Sequence, residues 1–151
     1  MKPYSESCER NQGPILKILQ EALTDQQCVL EIASGTGQHA VYFGHALPHL
    51  SWQTSELAQN HEGILAWLNE IKLPNVLPPI TIDVNDAKWP IEIVDTVFNA
   101  NMVHIISWPE VERLFAGITR VLNANGILCL YGPFKYEGKF TSESNARFDA
   151  L

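Results

Sequence analysis

The 151-residue sequence predicts an α/β fold, with one parallel sheet covered by helices on both faces. Three observations lead there. Apolar, strand-like runs alternate with segments of helical periodicity along the chain. The first and fifth strand runs, 28–33 and 127–131, are apolar almost throughout, as strands buried on both faces are. The turn Ser34–Gly37 then joins the first strand directly to a helix, the connection from which right-handed parallel crossovers are built.

The elements follow in order. Gly13 and Pro14 open a helical pattern in which Ile15, Leu16, Ile18, Leu19, Ala22 and Leu23 share one face. Residues 28–33 read as a buried strand, apolar except for Glu31. Residues 38–46 form a helix that stops before Pro48, and 51–56 a short second strand. Residues 60–71 carry Ile64, Leu65, Trp67, Leu68 and Ile71 at helical spacing, and Pro74 ends them. Residues 76–82 are a third strand. The adjacent Pro78 and Pro79 assign it to a sheet edge, because proline donates no ladder hydrogen bond. Residues 95–99 are the fourth strand. Ser107 and Glu110 form a capping box for a helix with Val111, Leu114, Phe115, Ile118, Val121 and Leu122 inward. The run 123–126, ending in Gly126, reads as a helix stop. Residues 127–131 are a fifth strand, 132–141 a loop, and 142–151 the start of another helix. No repeat or linker divides the chain, so 1–151 is read as one domain.

Composition narrows the partners. With 46% apolar and 18% charged residues, the chain reads as globular rather than disordered or fibrous. Its net charge of −7, without a Lys or Arg run, argues against nucleic acid, which calls for a basic stripe. An acidic site fits a cationic ligand better. The three cysteines form no CxxC and no zinc spacing, so no metal is expected and a reducing compartment is favoured. Cys28 and Cys129 lie in apolar runs and read as small core residues. There is no apolar leader and no run long enough to span a bilayer, so the expected location is cytoplasmic, with no membrane partner.

The chemistry concentrates at the first turn. In an open parallel sheet, ligands bind beyond the carboxyl ends of the strands, near the switch point. Gly35 and Gly37 let the backbone take positive φ and approach a ligand closely. Gly35-x-Gly37-x-x-Ala40 also fits a dinucleotide fingerprint, in which helix N–H groups hold a pyrophosphate. Glu31 separates the two readings: an ionised carboxylate beside the turn opposes a diphosphate and suits a sulfonium and an ammonium. Glu56 ends the second strand, where a carboxylate can accept both hydroxyls of a ribose. Such charge-assisted bonds are worth about 1.5–3 kcal/mol each. Asp83 follows the third strand and can accept from an adenine amino group. Asp86 is an alternative there, and both could instead cap a local turn.

These residues resemble the class I S-adenosylmethionine-dependent methyltransferases, with Glu31, Ala33, Gly35 and Gly37 in the acid-x-Gly-x-Gly-x-Gly motif. Ala33 stands where the first glycine is usual. Arg10-Asn11 and the stretches 30–39, 50–56, 98–104, 131–138 and 140–149 are similar to the methyltransferase-like 26 family. That family usually has Pro-Ser-Asp where this chain has Thr54, Ser55 and Glu56. The resemblance implies a Rossmann-like, doubly wound parallel sheet of strand order 3-2-1-4-5. It also implies further closing strands past residue 151. The final strands of the methyltransferase fold are therefore expected to be missing, leaving strand five as an open edge for a homodimer partner or another subunit to cover.

The resemblance implies S-adenosylmethionine as cofactor, and a small molecule or a protein as methyl acceptor. Expected cofactor-binding residues are Glu31, Ala33, Ser34, Gly35, Gly37, Glu56 and Asp83. Asn99 or Asn101 would lie near the methionine moiety and Arg10 would pair with its carboxylate. His104 could orient a substrate or act as a base, or could simply be packed. Tyr131, with Phe134, Lys135 and Tyr136, could line the acceptor pocket; Tyr131 and His104 are the catalytic candidates. His39 reads as a first-turn helix residue or a cofactor neighbour. Trp52, Trp67, Trp89 and Trp108 read as core or helix anchors. A non-catalytic homologue that binds cofactor or a partner, and a nicotinamide-dependent oxidoreductase, stand as the alternatives.

Overall fold

The structure, a computed structural model, describes residues 2–100 and 106–132, and the strand backbones 135–136, 139–140 and 146–150. In chain order the elements are α1 (Glu6–Ala22), β1 (Cys28–Glu31), α2 (Gln38–Ala46), β2 (Ser51–Glu56), α3 (His61–Glu70), β3 (Val76–Thr81) and β4 (Val94–Ala100). Then come α4 (Trp108–Val121), β5 (Leu122–Tyr131), β6 (Lys135–Tyr136), β7 (Lys139–Phe140) and β8 (Ala146–Ala150).

The sheet runs β3-β2-β1-β4-β5-β8. The first five strands are mutually parallel, in the expected 3-2-1-4-5 order. β3, with its prolines, is an edge, where the missing N–H groups cost no ladder bond. Strand alternation sorts the side chains into two cores. Val29, Trp52, Phe98, Cys129 and Tyr131 face Ile15 and Leu19 of α1 and Phe43 of α2. Leu30, Ile32, Val97, Leu128 and Leu130 face Leu114 and Ile118 of α4 on the opposite side. Helices thus cover both faces, which is why 28–33 and 127–131 read as continuous apolar runs.

Several expectations need correction, among them the loop read at 132–141, which holds the β6–β7 pair. α1 begins at Glu6 rather than at Gly13, capped by Ser5, whose side chain accepts from the Cys8 N–H. Pro14 lies inside the helix. Gly13 and Pro14 are exposed, so the carbonyl that Pro14 leaves without a donor can be hydrated. Residues 123–126 are no helix stop: Leu122 is already extended (ψ 131°), and β5 starts there. The extra residues are absorbed as a bulge, between the pairs Val94–Leu122 and Thr96–Ile127. Cys28 is exposed, at the outer start of β1, whereas Cys129 is buried. Finally, residues 146–150 are a strand, not a helix. β8 pairs antiparallel with β5, from Ile127–Ala150 to Tyr131–Ala146. The ladder groups of β5 that a helix would have left open are thereby satisfied, so this edge is not bare.

The capping box is present, with Ser107 Oγ accepting from Glu110 N and Glu110 Oε1 accepting from Ser107 N. Trp108, read as an anchor, is 71% exposed in the first turn of α4, and Phe115 is also exposed. Trp52 and Trp89 are core residues. No helix among the described residues is long and apolar enough to cross a membrane.

Candidate functional site

The carboxyl end of β1 lies between β2 and β4, where successive connections leave in opposite directions. The turn that follows has three residues with positive φ: Ala33 (57°), Gly35 (61°) and Gly37 (94°). At Gly37 a Cβ would come 3.2 Å from the Ile64 Cα of α3, so glycine is needed there for space as well as for φ. Ala33 takes the left-handed conformation with a side chain, at some strain.

Two glutamates flank this turn. Glu56, at the end of β2, is 9% exposed. Its Oε2 accepts from Gly35 N at 3.0 Å. Its Oε1 accepts from Leu57 N at 2.7 Å and Asn60 Nδ2 at 3.2 Å. Oε1 thus has both acceptor directions filled, whereas Oε2 keeps a second one for a hydroxyl donor. Ser34 ties the strands together: its N–H donates to Ser55 O (2.8 Å) and its Oγ accepts from Ser55 N (3.0 Å).

Glu31 is 2% exposed. Burial pushes its carboxyl up from 4.5 to about 7; hydrogen bonds from Trp52 and Ser34 pull it back, and the charge of Glu56 adds to the rise. The Trp52 Nε1–H donates to Glu31 Oε1 at 3.0 Å. No Lys or Arg bonds either glutamate among the described residues.

The first N–H of α2 and the side chains of its first two residues are already engaged. Gln38 N donates to Thr36 Oγ1 (3.2 Å). The Gln38 amide bridges to the backbone of Ser5, its Oε1 accepting from Ser5 N and its Nε2 donating to Ser5 O. His39 bonds the backbone of Cys8 and stacks on Phe43, with ring centroids 5.1 Å apart. Burial lowers the His39 ring from 6.5 to about 4, so it is neutral at pH 7, and its Nε2 has no partner. The first turn of α1 is thus tied to the start of α2 beside the glycine turn.

Of the residues singled out in the sequence, Glu31, Ala33, Ser34, Gly35, Gly37 and Glu56 come together at this turn. Asp83 lies past the end of β3, on the same side of the sheet, and its Oδ1 accepts from Asn85 N (2.9 Å) as a turn cap. Asn99 is 1% exposed and donates to Ile32 O at 2.8 Å, clamping β4 to the end of β1. Tyr131 is buried at the end of β5. Arg10 is not drawn to the turn. Because α1 starts early, Arg10 falls on an exposed helical face, bonding Ser7 Oγ (3.2 Å) and facing Glu6 (3.9 Å). Asn101, His104 and Phe134 lie outside the described residues, and β6 and β7 form a two-stranded sheet after β5.

Sequence reading missed Gln38, Ser55 and Asn60 and took Trp52 for a core anchor. A signal for Trp52 existed. Val29 pairs with Trp52, so alternation puts Trp52 on the face of Glu31, at a diagonal position within reach of an indole. Nothing in the pattern marked Gln38, whose role depends on α1 starting early enough for Ser5 to reach it.

Comparison with known proteins gives two findings. The family model described as "Protein of unknown function (DUF938)" matches residues 2–151. Among solved structures, the S-adenosylmethionine-dependent methyltransferase SibL in its apo form aligns with a TM-score of 0.76 at 19% identity, over 87% of this chain and 38% of that one. An O-methyltransferase family protein from Burkholderia thailandensis gives 0.72 at 16%, over 84% and 39%. The O-methyltransferase from a trans-AT PKS multienzyme of Brevibacillus brevis, in complex with S-adenosyl-L-homocysteine, gives 0.66 at 17%, over 86% and 46%. The chain spans less than half of each of these three proteins, and the likeness establishes the fold.

Proposed function

For this chain, which belongs to the DUF938 family of proteins of unknown function, we propose the activity of an S-adenosylmethionine-dependent methyltransferase. The observation that carries the reading is the pair of glutamates at the positive-φ turn, Glu31 buried beneath it and Glu56 bonded to the Gly35 N–H. The resemblance to the methyltransferase-like 26 family belongs to the same reading.

The donor set fits a cationic nucleoside. A diphosphate would face two carboxylates with no basic side chain bonding either of them among the described residues. It would also meet an α2 N-terminus whose first N–H is held by Thr36 and whose first turn is tied to Ser5 and Cys8. This disfavours the nicotinamide alternative. Glu56 would take one ribose hydroxyl on the open direction of Oε2 and the other on Oε1 in place of Asn60, and Asp83 the adenine amino group through the oxygen not engaged with Asn85. Glu31 would face the positively charged methionine end. Gly35 and Gly37 keep side chains out of the space next to the turn.

When bound, the cofactor supplies an electrophilic methyl group whose leaving group is a neutral sulfur. The chain's own contribution is then to hold the ligand in line with a nucleophile rather than to stabilise an oxyanion. Tyr131 and His104 remain candidates on the acceptor side. The acceptor is a small molecule or a protein.

Thermal shift and titration calorimetry with S-adenosylmethionine, S-adenosylhomocysteine and NAD test the proposal. Both sulfur nucleosides are expected to bind, and Glu56→Ala is expected to weaken them about tenfold or more, from the loss of charge-assisted bonds. Stabilisation by NAD alone would overturn it. Binding of the nucleosides without methyl transfer to any of a panel of metabolites and proteins would favour the non-catalytic alternative.

A further inference from the structure

Trp52 has a role that its packing does not require. The indole is fully buried, with ring centroids 5.6 Å from both Phe43 and Phe98. A phenylalanine could fill much of that volume. The indole N–H, however, is spent on Glu31 Oε1 at 3.0 Å, within the core.

Among the described residues, the surroundings of Glu31 contain no cation. From α1, Cys8 approaches, its thiol pushed upward by burial and so uncharged. From α2, His39 shares the aromatic cluster and is neutral. From β2 comes Glu56, a like charge, and Tyr131 of β5 lies in the same core cluster. A carboxyl in such a place needs donors to orient it. An arginine would orient it but cancel its charge. An indole N–H is a neutral, donor-only group, so it fixes the carboxyl and leaves the charge available.

We propose, resting on the reading of the turn as a cofactor site, that Trp52 is a positioning residue whose indole N–H keeps the Glu31 carboxyl oriented for a cationic group of the ligand. Trp52 acts through Glu31 and does not itself touch the ligand. Two consequences follow. The indole N–H senses the charge of Glu31, since it bonds an ionised oxygen more strongly than a protonated acid. Removing it also makes ionisation of Glu31 harder, because this bond favours the charged form. Affinity for a cationic ligand then develops at higher pH.

The test uses the full chain, Trp52→Phe and Glu31→Gln. In ¹H–¹⁵N spectra the Trp52 indole signal, identified by its loss in Trp52→Phe, is expected to titrate with a midpoint near that of Glu31, about 7, and to be flat in Glu31→Gln. Calorimetry with S-adenosylmethionine runs from about pH 5.5 to 7.5, and the ligand's own amino group, with its reference value of about 7.7–8.0, enters the wild-type and variant profiles alike. Wild-type affinity is expected to rise with pH. In Trp52→Phe the rise should move up by roughly half a unit to one unit, a loss of about twofold to fivefold at neutral pH.

A flat wild-type indole signal, or a Trp52→Phe binding profile that matches wild type, would overturn the proposal. If Trp52→Phe does not fold, spectra of the wild type and Glu31→Gln decide alone, with a titrating signal in the first and a flat one in the second supporting it. Wild type that binds no S-adenosylmethionine at any pH would defeat the function itself, and this role with it. Binding by wild type with no effect of Trp52→Phe would defeat only this role.

Discussion

Gly37 carries two constraints at once: a φ of 94° and a Cβ position 3.2 Å from the backbone of Ile64. Gly37→Ala is therefore expected to cost about 1–3 kcal/mol, from strain and crowding together, read as a lower urea midpoint. Glu31 and His39 act on stability in opposite directions. His39 is held neutral, so its contribution is present above pH 6.5 and is lost as pH falls toward about 4. Glu31 is raised, so its contribution is present below pH 4.5 and is lost as pH rises toward about 7. The two slopes oppose each other where the windows overlap. Single variants separate them in urea titrations across pH. Relative to wild type, Glu31→Gln is expected to remove the loss on the alkaline side, and His39→Phe the loss on the acid side. Neither change should exceed about 1.4 kcal/mol per pH unit, the limit for one proton. At this scale the sequence was informative about residue type and blind to partners. Glu31, Gly35, Gly37 and Glu56 were legible because a turn between a strand and a helix restricts which residues serve there. The bonds from Trp52 to Glu31 and from Gln38 to Ser5 join positions far apart in the chain, and only the packed sheet and helices bring them together.

Two glycines in helices show how packing decides what a single methyl group does. In α4, a Cβ at Gly117 would sit 2.1 Å from the Trp89 ring. Gly117→Ala must displace a buried indole and is expected to cost about 1–3 kcal/mol. In α1, Gly13 has nothing within 4 Å of its Cβ position and is exposed. Gly13→Ala is expected to stabilise by about 0.5–1 kcal/mol, through helix propensity and a less flexible unfolded chain. Thermal or urea midpoints of the two variants should move in opposite directions. α2 and β2 were legible to the residue, because Pro48 and the glycine turn bound them sharply. α1 was misplaced at its start, since Pro14 resembles a helix beginning when the exposure of its face is unknown. The end of α4 was misread because Gly126 lies in a bulge of β5, a feature set by pairing with β4 rather than by local propensity.

For the whole molecule, five parallel strands followed from alternation and handedness, and the sixth did not. Residues 146–150 carry too weak a pattern to separate strand from helix, and β5 decides the matter by offering an unpaired edge. Deleting residues 141–151 is accordingly expected to expose that edge. Sedimentation velocity should then show concentration-dependent self-association that the longer chain lacks. The sheet sets the glycine turn between two acidic strand ends, and the proposed specificity for a positively charged nucleoside depends on that placement. The most direct measurement is a crystal structure of the chain with S-adenosylhomocysteine. The expected result is a ribose on the Glu56 carboxylate and an amino-acid end beside Glu31. An empty crevice at residues 31–37, or a diphosphate seated on the first turn of α2, would contradict it.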